Sequence, residues 1–262
     1  MLQFILLIIT GIAIGAIDAV VGSGSLLMVS ALTFLGLSPL HAIVNMKIAT
    51  TIQDFIASTT YAAKKLIDWK QAFTLSLFAL IGSYLGANIV LNIEEKLLAY
   101  ISGGLMIALI FFLPEPVEKI GSPFARLLHK VLTRRPTLTK DTKKEVILAI
   151  LSFLLGIYGG FYGAAVGTLF LTVFLVIGDA SLLVTAANTK IITFFISLGA
   201  SAVFIKRGGV IILDVFLPLT IGTSIGALLG VLTAEKADFK YLRYLLYVVI
   251  TISAANIILT SA

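Results

Sequence analysis

Of 262 residues, 59% are hydrophobic and 12% charged, and mean hydropathy is +1.10. Soluble chains carry about 25% charged residues, so this composition excludes a soluble domain and predicts an all-α, polytopic integral membrane protein. With no cysteine and only His41 and His129, disulfides, thiolate metal sites and a His-rich metal centre fall away, and no cofactor is expected.

The opening decapeptide, MLQFILLIIT, has no basic residues before its apolar run. It reads as a retained membrane helix rather than a signal peptide. Further apolar runs follow near 25–37, 40–63, 72–92, 97–114, 146–177, 181–205, 210–233 and 241–260. Crossing a bilayer as helix takes roughly 20 residues. The 25–37 run and its counterpart inside 146–177 are too short for that, so each reads as the continuation of a broken first helix. About eight spans result.

Between the last run of the first half and the first run of the second lies a basic loop. From Glu115 to Glu145 it holds eight Lys/Arg against four acids. Such a stretch could serve nucleic acid or acidic lipid, but in a membrane chain it fits the positive-inside bias and reads as cytoplasmic. No nucleic-acid partner is expected. Sorting charges over eight spans puts this loop with Lys64, Lys65, Lys70, Lys206 and Arg207 on one side. Lys96, Lys236, Lys240 and Arg243 fall on the other, and both termini are expected in the cytoplasm of a multi-pass cell-membrane protein.

The two halves repeat. GIAIGAIDAVVGS (Gly11 to Ser23) aligns with GIYGGFYGAAVGT (Gly156 to Thr168) at an offset of 145, and Asn45-Met46-Lys47 with Asn188-Thr189-Lys190 at 143. GSYLGA (Gly82 to Ala87) matches GTSIGA (Gly222 to Ala227). The chain therefore divides into a four-segment repeat over 1–114, the loop 115–145 and a second repeat over 146–262. Internal repeats of this kind are typical of secondary transporters, with the binding site at the repeat interface. Four crossings per repeat make the repeats parallel, whereas a first segment that turns back makes them inverted; both remain open.

Buried lysines are costly. One at mid-membrane depth opposes insertion by about 2.5–3.5 kcal/mol, and this chain carries two, Lys47 and Lys190, each two positions after an asparagine. Residues two apart on a helix point about 200° from each other. One arrangement serves both: Lys47 and Lys190 face a cavity as positive charge, while Asn45 and Asn188 hydrogen-bond the broken backbone of the neighbouring first helix. That break is predicted at Gly22, Ser23, Gly24 and Ser25, and in the second half at Gly167 and Thr168. A helix restarting after Ser25 aims N–H groups and its positive dipole end at the break, which favours an anion. The second break, with only Gly167 and Thr168, is expected to offer a weaker anion site or none. Asp18 and Asp54 are also in apolar runs, and the second half has Gly163 and Ser197 in their places. They are expected either to neutralise Lys47 or to couple transport to protons. Lys190, with no acid in its own helix, is expected to be the less neutralised lysine.

The two four-segment repeats, the glycine-bearing breaks and TAANTKIITFFISLGASAVFIKRGGV (Thr185 to Val210) resemble the sulfite exporter TauE/SafE family over essentially the whole chain. The resemblance implies a permease for sulfite, sulfonates or related sulfur-containing anions, with Asn45, Lys47, Asn188, Lys190 and both breaks along the pathway. The first break departs from the family's longer glycine run through Ser23 and Ser25, and the second is less glycine-rich. The expected partners are a small anionic substrate and the lipid bilayer, with homo-oligomerisation left open. A non-transporting membrane subunit, its buried charges paired with a partner protein, is the competing reading. No nucleophile–base or metal constellation suggests an enzyme.

Overall fold

The computed structural model describes residues 2–112, 142–177, 181–207 and 211–234. Residues 115–141 of the basic loop 115–145 and the final apolar run 241–260 lie outside the described residues. Nine helices occur among the described residues: α1 (Leu2–Val21), α2 (Gly24–Phe34), α3 (Pro39–Ala63), α4 (Trp69–Val90), α5 (Glu95–Phe112), α6 (Thr142–Phe161), α7 (Val166–Ile177), α8 (Leu182–Lys206) and α9 (Leu213–Thr233). Five of them, α1, α4, α6, α8 and α9, are long and apolar enough to cross a membrane. The longest helices, α3 and α8, would each measure about 37 Å. It is α3 that buries Asn45, Lys47, Gln53 and Asp54, with Lys47 and Asp54 on one face and Asn45 on the opposite one.

The surface is inside-out relative to a water-soluble protein. Large apolar side chains such as Phe4, Phe78, Ile81, Ile150, Leu217 and Leu228 point outward, while Asp18, Lys47, Gln53, Asp54 and Lys190 are buried. That distribution suits a hydrocarbon solvent, where polar groups must be satisfied within the protein.

Close packing fixes the direction of the helices. A Cβ at Gly226 of α9 would strike the backbone of Ile12 and Ala16, and one at Gly230 the backbone of Ala16. Numbers rise together, so α1 and α9 run parallel. In the same way Gly82 and Gly86 of α4 press on Phe153, Ile157 and Phe161 of α6. The central pair α3 and α8 is antiparallel. Thr50 and Thr51 meet Ser197 and Ser201 at 3.1 and 3.0 Å, while Asp54 and Phe55 meet Lys190 and Phe194.

The glycine contacts fit two registers between the halves. Gly82 on Phe153 matches Gly222 on Ile8, which keeps the GSYLGA–GTSIGA match and an offset of 145 between α1 and α6, and it matches Gly226 on Ile12 equally well. The second alternative shifts α6 by one turn, to an offset of 141, which is also the separation of the left-handed glycines Gly22 and Gly163 at the two breaks. Glycines recur every four residues in these helices, and letters alone leave the register ambiguous by a turn.

The chain turns back at its first break. Gly24 lies against Asp18 and Ile14, so α2 folds against α1 instead of continuing it. Gly159 of α6 similarly lies beside Val166 of α7. One apolar cluster joins Tyr61, Leu66, Ile67, Leu182, Leu183 and Val231, and another joins Leu40, Ala42, Val203, Phe204 and Ile212. These mark opposite ends of the bundle. Lys206 and Arg207 therefore lie at the far end from Lys64 and Lys65, and the charge sorting over eight spans is overturned for them. It counted each broken segment as a crossing, whereas the segment doubles back.

Candidate functional site

Two hairpin tips meet inside the bundle. At the first, Gly22 takes φ +75 after α1, a left-handed conformation that only glycine adopts without strain. Its N–H bonds Asp18 O at 2.9 Å. At the second, Gly163 takes φ +74 and Ala165 φ +56. The second break thus lies at 162–165. Gly167 and Thr168, predicted to form it, instead occupy the first turn of α7. The letter match paired Gly22 with Gly167, but the residue that must take positive φ is Gly163. Gly167 instead backs directly onto Gly22. Beside it, Thr168 N donates to Gly22 O at 3.2 Å, and Thr168 Oγ1 donates to Val21 O at 2.8 Å. Ser25 Oγ accepts from Ala165 N at 3.0 Å, tying the tips together.

The lysines beside these tips are unequal, and in the opposite sense to the sequence expectation. Lys190 Nζ donates to Asp18 Oδ2 and, at 3.0 Å, to Asp54 Oδ1. Asp18 also accepts from Gln53 Nε2 at 2.6 Å and from Ser25 N at 3.2 Å. The anion at the start of α2 is therefore the protein's own carboxylate. Lys47 is 1% exposed, and among the described residues no carboxylate lies within 4.0 Å of its Nζ, which sits against Gly163. Sharing a helix face did not decide the pairing. Asp54 reaches across the antiparallel crossing to α8, and Asp18 arrives from the hairpin tip.

Both lysines line one constricted cavity together with Gly163, Gly167, Ser197 and both aspartates. It holds little more than a water molecule. Ser25 and Gly22 also line it, whereas Ser23, buried, and Gly24 belong to the turn into α2. Gly163, absent from the predicted site, entered the sequence reading only as the residue in Asp18's place in the second half.

The asparagines are not at the breaks. Asn45 Oδ1 accepts from Ile212 N at 3.0 Å and Asn188 Oδ1 from Asp68 N at 2.9 Å. Ile212 and Asp68 are the N-caps of α9 and α4, where backbone N–H groups lack helical partners. Each half thus caps a helix of the other. Asn188→Ala leaves the Asp68 N–H without this acceptor and is expected to lower stability by about 1–3 kcal/mol, read as the unfolding midpoint in detergent. An unchanged midpoint would contradict the capping role.

The family model described as sulfite exporter TauE/SafE matches residues 7–257. A probable membrane transporter protein, ORF9 of Sinorhizobium sp, is 26% identical over 236 residues, covering 90% of this chain and 84% of that protein. No solved structure matches. With the match running almost end to end, the chain belongs to the sulfite exporter TauE/SafE family and is a membrane transporter, not an enzyme.

Proposed function

We propose that this transporter is a secondary permease for a small oxyanion, sulfur-containing as its family implies, and that Lys47 is the cation that meets it. The observation carrying this reading is the inequality of the two buried lysines on one cavity. Lys190 is matched by two carboxylates, and Lys47 touches none among the described residues. A bound anion would supply what Lys47 lacks.

Charge accounting supports proton coupling. Two lysines and two aspartates sum to zero around the cavity, so an entering monoanion leaves one negative charge in excess. In a low-dielectric interior that excess is costly, and a proton taken up by Asp54 or Asp18 removes it. Both acids thereby keep the proton-coupling role, now beside Lys190.

The helix directions support inverted repeats over 1–114 and 146–262, because the equivalent helices α3 and α8 are antiparallel. Each repeat then has a re-entrant hairpin, and the two tips pass each other near mid-membrane. With the basic loop cytoplasmic, the start of α1 faces outward, since it lies at the end opposite Lys64 and the start of α6. This replaces the cytoplasmic N-terminus reached by charge sorting.

The test is sulfite flux into vesicles containing the purified chain alone. Flux is expected, with loss in Lys47→Met and loss of the response to a pH gradient in Asp54→Asn. A chain that moves nothing alone would be the non-transporting subunit. Wild-type flux in Lys47→Met would remove Lys47 from the pathway.

A further inference from the structure

The fold contains its own template for holding an oxyanion. With α3 and α8 corresponding at 143 and α1 and α6 at 141, Lys190, Asp54, Gln53 and Asp18 correspond to Lys47, Ser197, Ile196 and Gly159. The contacts repeat along with the positions. Gln53 reaches Asp18, and Ile196 Cγ2 lies where a side chain on Gly159 would begin. Asp18 touches Gly24 at the start of α2, and Gly159 touches Val166 at the start of α7. Asp54 and Thr193 line the same cavity, and their counterparts Ser197 and Thr50 are hydrogen-bonded at 3.1 Å.

The second site therefore keeps the lysine, the threonine and the helix start of the first and lacks both of its carboxylates. The amide corresponding to Ser25 N, which donates to Asp18 Oδ1, is that of Gly167 on the cavity wall. A helix start favours an anion, and here a lysine that is 1% exposed, with no hydrogen-bond or ion-pair partner for its Nζ among the described residues, lines the same cavity. We infer that the transported oxyanion occupies, between Lys47 Nζ and the first turn of α7, the place that the Asp18 and Asp54 carboxylates fill between Lys190 and the first turn of α2. Because the template is a carboxylate and the cavity is constricted, the site takes oxyanions of carboxylate size. Anions bearing a bulky organic group are excluded, which narrows the substrate class from sulfonates toward sulfite. The inference rests on the proposed role of Lys47.

The experiment installs the missing carboxylates and reads sulfite affinity from ligand-induced thermal stabilisation of the purified protein. Ser197→Asp recreates the counterpart of Asp54, and Gly159→Asp with Ile196→Gln recreates Asp18 and Gln53. Each is expected to weaken sulfite by roughly thirtyfold or more, the scale of a buried charge-pair effect, while keeping or raising the unliganded melting temperature. Ser197→Asn, similar in size without charge, should lose less. In the wild-type protein, excess formate and acetate should abolish the sulfite response, and toluenesulfonate should not. Wild-type sulfite affinity in either carboxylate variant overturns the inference, as does failure of formate and acetate to compete. The competition measurement decides if the variants do not fold. Lys47→Met separates the two levels. Sulfite binding lost there but kept in the carboxylate variants sinks this inference alone, whereas binding kept in Lys47→Met sinks the proposed function of that lysine as well.

Discussion

Lys190→Met is expected to destabilise the protein by about 3–5 kcal/mol, the usual consequence of removing one partner from a buried ion pair. Asp18 and Asp54 both face Lys190, and neither has solvent to fall back on. The measurement is the unfolding midpoint in detergent, for the single variant and for a triple variant that adds Asp18→Asn and Asp54→Asn. The triple variant should recover most of the loss, because the charges disappear together. Lys47→Met should show no such loss, since no carboxylate touches that lysine among the described residues. Equal destabilisation by the two methionine variants would contradict the asymmetry on which the anion site depends.

Gly22→Ala is the second large effect. The left-handed φ of +75 costs a side-chain-bearing residue about 1–2 kcal/mol, and the added methyl meets the Gly167 and Thr168 backbone at 2.5–2.7 Å, an overpacking of about 1–3 kcal/mol. Gly36→Ala isolates the first contribution. Gly36 has φ +86 with nothing within 4 Å of its would-be Cβ. Gly22→Ala should therefore lower the midpoint further than Gly36→Ala and should abolish flux. Equal midpoints would mean that the two hairpin tips are not held against each other.

The sequence was informative where a local cost had to be explained. Buried lysines at equal spacing, glycines inside an apolar run and the repeated halves pointed to the helices, the first break and the lysines that line the cavity. Pairings across the molecule were a different matter. Asp54 lies two turns from Lys47 on the same helix, yet its oxygen is bound to Lys190. The asparagines were read as hydrogen-bonding the broken first helices, whereas the amides they accept from belong to helix starts 120 and 167 residues away in the chain. Likewise, glycine at every fourth position fixes that helices pack closely and leaves open which turn meets which. The partner's backbone repeats with the same period, and it is the left-handed Gly22 and Gly163, 141 residues apart, that favour one register.

The cross-capping by Asn45 and Asn188 has a consequence for biosynthesis. When the first half has entered the membrane, the amide at Asp68 awaits an acceptor that the ribosome has not yet made, and the glycine faces of α1 and α4 await α9 and α6. The early half is thus an incomplete surface, with polar groups and shallow grooves open to lipid until the late half arrives. Tertiary assembly is consequently a late event in this protein, and the halves, made as separate chains in one cell, carry the complementary surfaces needed to find each other.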